Sequence, residues 1–168
     1  SFGPTALQFM HAALITGTLL ALSLFWHSKT RAIWLILGGL MLFAALNWQQ
    51  WLVIRPQLAG VLAFVVLLGL MQTRMNGTLK LLLVPALFVL WSNVHGSFLV
   101  GLMWLGLFAA GRGIDLLMRT RRLAALLHDA DFRRRVLALE LAVVASLVNP
   151  YGWRLLLEVL LFGRNPNL

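Results

Sequence analysis

Residues 91–98 read Trp91-Ser92-Asn93-Val94-His95-Gly96-Ser97-Phe98, a polar knot between two apolar runs, and its reading decides the fold. Amide, imidazole and hydroxyl groups need partners that hydrocarbon does not offer. They therefore mark a membrane face, a water-filled cavity or a contact with other polar side chains. The apolar runs on either side then become two helices joined as a hairpin.

The rest of the composition agrees. Of 168 residues, 61% are hydrophobic and 11% charged, too much apolar surface for a globule of this size to hide from water. A net charge of +9 would point to nucleic acid in a soluble chain. Here the charges lie between apolar runs, which points to a membrane surface instead. With no cysteine, disulfide frameworks, thiolate metal sites and cysteine nucleophiles are excluded.

Outward from the knot, the chain reads as an all-α integral membrane protein of about six transmembrane helices, some short. Residues 5–26 are long enough to cross a hydrocarbon core of about 30 Å, with Gly3-Pro4 as a helix start. Residues 32–48 form a second span with Gly38-Gly39 in its middle, and an amide-rich aromatic belt, Asn47-Trp48-Gln49-Gln50-Trp51, ends it. Pro56 disfavours helix at Arg55, after which residues 57–72 return as a third span.

A turn at 73–80 leads to residues 81–91, about half of a usual spanning length. The fifth span is 97–118, with Gly101, Gly106 and Gly111 available for close packing. Residues 119–135 place Leu123, Leu126, Leu127 and Phe132 at helical spacing among arginines, the pattern of a basic amphipathic cytoplasmic helix lying on the membrane. Residues 136–148 make a short sixth span. Asn149 before Pro150 suits a cap and first turn, so residues 150–162 read as a further helix. The whole of 1–168 reads as one transmembrane domain, and the opening at Ser1 and the stop at Gly163-Arg164-Asn165-Pro166 suggest a piece of a longer chain.

Alternating spans put Lys29, Arg31, Arg74, Lys80, Arg112, Arg119, Arg121, Arg122, Arg133, Arg134 and Arg135 on one side, and Arg55, Arg154 and Arg164 on the other. By the positive-inside rule the first side is cytoplasmic. Three polar corners then share the extracytoplasmic face: Arg55-Pro56-Gln57, Asn93-Val94-His95-Gly96 and Asn149-Pro150-Tyr151-Gly152-Trp153-Arg154. Gln8 and His11 lie one to two turns inside that face and line the same expected cavity.

Each candidate has two uses. Arg55 is either a snorkelling interfacial cation or a contact for a lipid phosphate, and Arg154 faces the same choice, with a pair to Glu158 one turn on as a third. His95 is either a hydrogen-bonded turn residue or a group that exchanges a proton near neutrality. Asn93 and Asn149 read as helix caps first. His11, an ionisable group inside a span, is the one candidate ligand for a pigment; otherwise no cofactor is expected. Glu158 is the sole carboxylate on the outward side, so neither an acidic metal site nor a carboxylate pair is available there. The basic run is most simply attracted to anionic lipid, with no nucleic acid as partner.

The ordered set Arg55-Pro56-Gln57-Leu58, then Trp91 to Phe98 with Gly101, then Asn149-Pro150-Tyr151-Gly152 resembles uncharacterised bacterial polytopic proteins similar to the GT-C superfamily of glycosyltransferases. That resemblance implies a multi-pass protein of the bacterial inner membrane that handles a polyprenyl-phosphate sugar at the extracytoplasmic face. It also implies that Arg55, Gln57, Asn93, His95 and Arg154 contact lipid phosphate or acceptor, while Asn149 and Tyr151 line the cavity. The acidic residues that catalyse in that superfamily precede the region matched and have no counterpart here. The alternative is a non-catalytic transmembrane subunit of a larger assembly, such as a photosynthetic or other energy-transducing complex, whose glycine-rich faces meet other membrane subunits.

Overall fold

A computed structural model describes residues 3–53 and 55–161. The expected helix stop at 163–166, Arg164 and the end of the last helix at Phe162 lie outside the described residues. The described residues are helical, with no strand among them, and fall into two compact units, Ser1–Arg74 and Met75–Leu168.

The first unit holds α1 (Pro4–His27), α2 (Ile33–Leu46), α3 (Trp48–Trp51) and α4 (Gln57–Gln72). Pro4 opens α1, where its missing N–H costs nothing. At the other end the Ser28 N–H closes onto Leu24 O and its hydroxyl onto Phe25 O. α1 packs on α4 through Thr18 and Leu22 against a face that buries Leu58, Gly60, Ala63, Val65 and Leu67. Thr18 is not an orphan in that seam, because its hydroxyl donates to Leu14 O at 2.7 Å. Ala21, Leu24 and Phe25 meet Val65, Val66 and Gly69, so the two helices run the same way. α2 returns antiparallel, its Gly39 under the Trp26 ring, where an added Cβ would stand 2.6 Å from ring carbon.

The second unit holds α5 (Gly77–Val94), α6 (Phe98–Thr120), α7 (Ala124–His128), α8 (Ala130–Ser146) and α9 (Trp153–Leu161). Its core is Val84, Phe88 and Trp91 of α5, Phe98, Leu102, Leu105 and Ala109 of α6, and Ala138, Ala142 and Ala145 of α8. The α8 alanines fall at i, i+4 and i+7, a narrow stripe that lets α5 and α6 approach closely. Gly77 at the start of α5 lies beside Arg134 near the start of α8, and Asn93 near the end of α5 reaches Val148 just past the end of α8. α5 and α8 are therefore parallel, and α6, with Gly101 against Trp91 and Gly113 against Phe132, runs opposite to both.

Three helices, Pro4–His27, Gly77–Val94 and Phe98–Thr120, are long and apolar enough to cross a membrane, and α2 and α4 are shorter apolar helices. Their exposed surface fits that medium. α2 buries only Ile36 and leaves Trp34 81% and Met41 74% exposed, a burden in water and none in hydrocarbon.

Several expected boundaries are corrected. The half-length helix at 81–91 is an 18-residue helix, because Asn76 accepts from Thr78 N and starts it four residues earlier. The amphipathic helix at 119–135 is not one helix. α6 runs on to Thr120, Arg121 closes it in the left-handed conformation at φ 52°, α7 fills the corner, and Asp129 caps α8 by accepting from Phe132 N at 2.6 Å. α8 thus begins before residue 136. Asn149-Pro150 does not begin a helix either: Gly152 at φ +54° turns the chain first, and α9 starts at Trp153. Of the glycines expected to permit close packing, Gly101 and Gly39 do, whereas Gly38, Gly106 and Gly111 face open space.

Candidate functional site

The knot at 91–98 folds into a corner that spends most of its polar atoms on itself. Trp91 Nε1 donates to Ser97 Oγ at 3.0 Å, and the Ser97 N–H donates to His95 Nδ1 at 3.1 Å. Gly101 lies under the Phe88 and Trp91 rings, and Gly96 lies under Val159 of α9, 3.1 Å from where a Cβ would stand. Asn93 is not a cap. Its Nδ2 donates to Val89 O one turn back and to Val148 O, both at 2.7 Å, and so fastens α5 to the corner that follows α8.

Asn149 organises that second corner. Its Nδ2 donates to Ser146 O at 2.7 Å and Gly152 O at 3.4 Å, and its Oδ1 accepts from Tyr151 N at 2.8 Å. The side chain thereby satisfies a carbonyl that α8 leaves over at its end and forms the Asx turn that re-aims the chain. Between the two corners lies a cleft of about 250 Å³, lined by Asn93, His95, Gly96, Asn149, Tyr151 and Leu155 among others. Because Nδ1 of His95 accepts, the neutral ring carries its proton on Nε2. Among the described residues no hydrogen bond takes up His95 Nε2–H or Asn93 Oδ1, so both are open to a ligand, as is the hydroxyl of the exposed Tyr151.

The remaining candidates are distributed differently. Arg154 is exposed on α9, and no ion pair joins it to Glu158 among the described residues. Arg55 and Gln57 are exposed at the start of α4 in the first unit. His11, in the same unit, donates from Nε2 to Trp51 O at 2.8 Å, and its Nδ1 is buried without a partner among the described residues. That bond ties α1 to α3 just before the Arg55 corner. Gln8 is exposed one turn earlier. Among the described residues no group of three His, Cys, Asp or Glu could hold a metal ion.

A charged cluster at the opposite end of the second unit was not among the expected sites, although three of its ion pairs stand at the i,i+3 or i,i+4 spacing that a helix brings together. Arg112 of α6 reaches Asp129 at 2.7 Å, Asp115 at 3.4 Å and Asp131 at 3.6 Å, while Arg119 takes the other oxygen of Asp115 at 2.8 Å. Arg135 donates to Asp131 at 2.7 Å and to Phe108 O at 3.1 Å, with its guanidinium 3.9 Å from the Phe108 ring centre. The Arg112 hydrogen bond, helped by the Phe132 N–H, holds the Asp129 carboxyl below the usual carboxylate range. Arg112 and Asp129 are 17 residues apart across two helix ends, a separation that no periodicity announces.

No family model, curated protein or solved structure matches this chain. These comparisons leave the GT-C resemblance expected from the sequence resting on the order of its three motifs alone.

Proposed function

We propose that this chain is the core of a GT-C-like protein of the bacterial inner membrane. In this reading α1, α2, α4, α5, α6 and α8 cross the bilayer, and the corner at His95 receives the polar head of a lipid-linked sugar at the extracytoplasmic face. The observation that carries the reading is the cleft between the two latched corners. At about 250 Å³ it falls just below the range that takes a drug-sized ligand, so it suits a head group whose lipid tail stays in the bilayer. His95 Nε2–H donates to a hydroxyl or phosphate oxygen there, and Asn93 Oδ1 accepts from a sugar hydroxyl. Arg154, exposed on α9 of the same unit, supplies a phosphate contact.

The second reading, a non-catalytic subunit of a larger membrane assembly, is favoured by a different observation. The amide N–H groups of Asn93 and Asn149 are consumed by backbone carbonyls, and among the described residues no carboxylate lines the cleft. His11 serves in that reading as a helix latch.

A photoactivatable polyprenyl-phosphate sugar, presented to the protein in bilayers, separates the two. Cross-linking to residues 92–96 and 149–155 that falls about ten-fold in His95→Ala, the loss of a hydrogen bond to a charged group, supports the receptor. Labelling of the cleft that is equal in wild type and variant, or absent from it, supports the scaffold.

A further inference from the structure

The ion pairs of the second unit sort its arginines into two kinds. Arg112, Arg119 and Arg135 are spent on Asp115, Asp129 and Asp131, whereas Arg133 and Arg134 have no ion pair among the described residues. These two share a face of α8 with Ala130 and Leu137, at i, i+3, i+4 and i+7, and the four line an open cleft of about 410 Å³. Arg134 also lies against Gly77, its guanidinium carbon 3.3 Å from where a Cβ would stand. It therefore adds its charge to the positive end of the α5 dipole. Positive potential accumulates there, and among the described residues no acidic side chain lines the cleft to offset it.

Below the guanidinium groups the same face turns apolar. Leu137, Leu141 and Val144 continue it, with Val144 62% exposed. Ten residues separate Arg134 from Val144, about 15 Å at the helical rise, which is one leaflet of the hydrocarbon core. Glu140, seven residues after Arg133, is exposed at the Arg133 edge of this face; it lies about 10 Å along the axis, too far down to meet a phosphate held by the arginines, and it limits the apolar stripe to the side of Leu141 and Val144.

We infer that this face of α8 is a binding site for an anionic phospholipid, with the head-group phosphate held between Arg133 and Arg134 and an acyl chain lying along Leu137, Leu141 and Val144. The inference rests on α8 crossing the bilayer and is independent of what the His95 cleft takes. A free phosphate shares the head-group chemistry but gains nothing from the apolar stripe.

The test uses the whole chain in phosphatidylcholine vesicles, with phosphatidylglycerol or phosphatidylcholine probes photoactivatable in the acyl chain. Phosphatidylglycerol should label residues 137–148 in preference. That preference should fall about five-fold for each arginine removed in Arg133→Gln and Arg134→Gln, and should survive in Arg121→Gln/Arg122→Gln. Wild-type protein alone gives a second readout, because added salt should erode the preference. Equal labelling by the two probes, or a preference indifferent to salt and to both substitutions, overturns the head-group site. Displacement of the probe by inorganic phosphate overturns the lipid assignment, and labelling by neither probe overturns the crossing of α8.

Discussion

At the scale of single residues, the polar corner is held by positions whose small size or amide group has one specific use. Gly101 is the clearest. A methyl there would stand 2.6 Å from Trp91 and 2.9 Å from Phe88, both buried, so neither ring can yield without disturbing the core. Gly101→Ala should cost about 1–3 kcal/mol, which in a chain of this length lowers the unfolding midpoint by about 2–4 °C for each kcal/mol. Gly106→Ala meets nothing and should be neutral or gain about 0.4–1 kcal/mol by stiffening the unfolded chain. Thermal unfolding of the two variants in detergent makes the comparison, and equal losses would mean that α5 and α6 do not meet as described. Both glycines are equally visible in the sequence; only the position of the aromatic rings tells them apart. The same holds for the asparagines, whose turn-forming character is legible but whose partners, Val148 O for Asn93 and Ser146 O for Asn149, are not.

At the scale of helices, the ends of α1, α2 and α6 were legible to within two residues and those of α4 to the residue. α4 occupies the expected 57–72, between Pro56 and Thr73. Boundaries failed where charge was taken for an end. Residues 119–135 set leucines between two runs of arginine, a pattern that a surface helix and a tight two-helix corner produce alike. What separates them is the Asp129 cap and its bond to Arg112, a contact between residues far apart in the chain. That bond predicts a pH dependence. The Asp129 carboxyl is held below its ordinary range, so its contribution is complete above about pH 4 and is lost as pH falls through the lowered folded-state value. Hydrogen exchange at the first turn of α8 should therefore be slower in wild type than in Asp129→Asn at neutral pH. The difference should close as the solution is acidified through that range. A gap that persists in strong acid would show that the cap acts without its charge.

At the scale of the whole molecule, the membrane class is carried by composition, and the exposed apolar helices agree with it. Chain direction comes from packing. With α5 and α8 parallel and α6 opposed, the second unit has one end carrying His95 and Tyr151 and another carrying Arg112, Arg121 and Asp129. Those two ends should meet water on opposite sides of a bilayer, with the arginine end cytoplasmic in the proposed orientation. Because the chain lacks cysteine, single replacements report without background. Tyr151→Cys, 66% exposed in the wild-type residue, should react with an impermeant maleimide added outside intact cells. Arg121→Cys should react only after the membrane is opened. The six proposed crossings add a stricter demand, that Arg55→Cys behave like Tyr151→Cys and Lys29→Cys like Arg121→Cys. Reaction of Arg55→Cys from the cytoplasmic side would refute the proposed threading of the first unit, whereas reaction of Tyr151→Cys and Arg121→Cys from one side would refute the crossing of the second unit altogether.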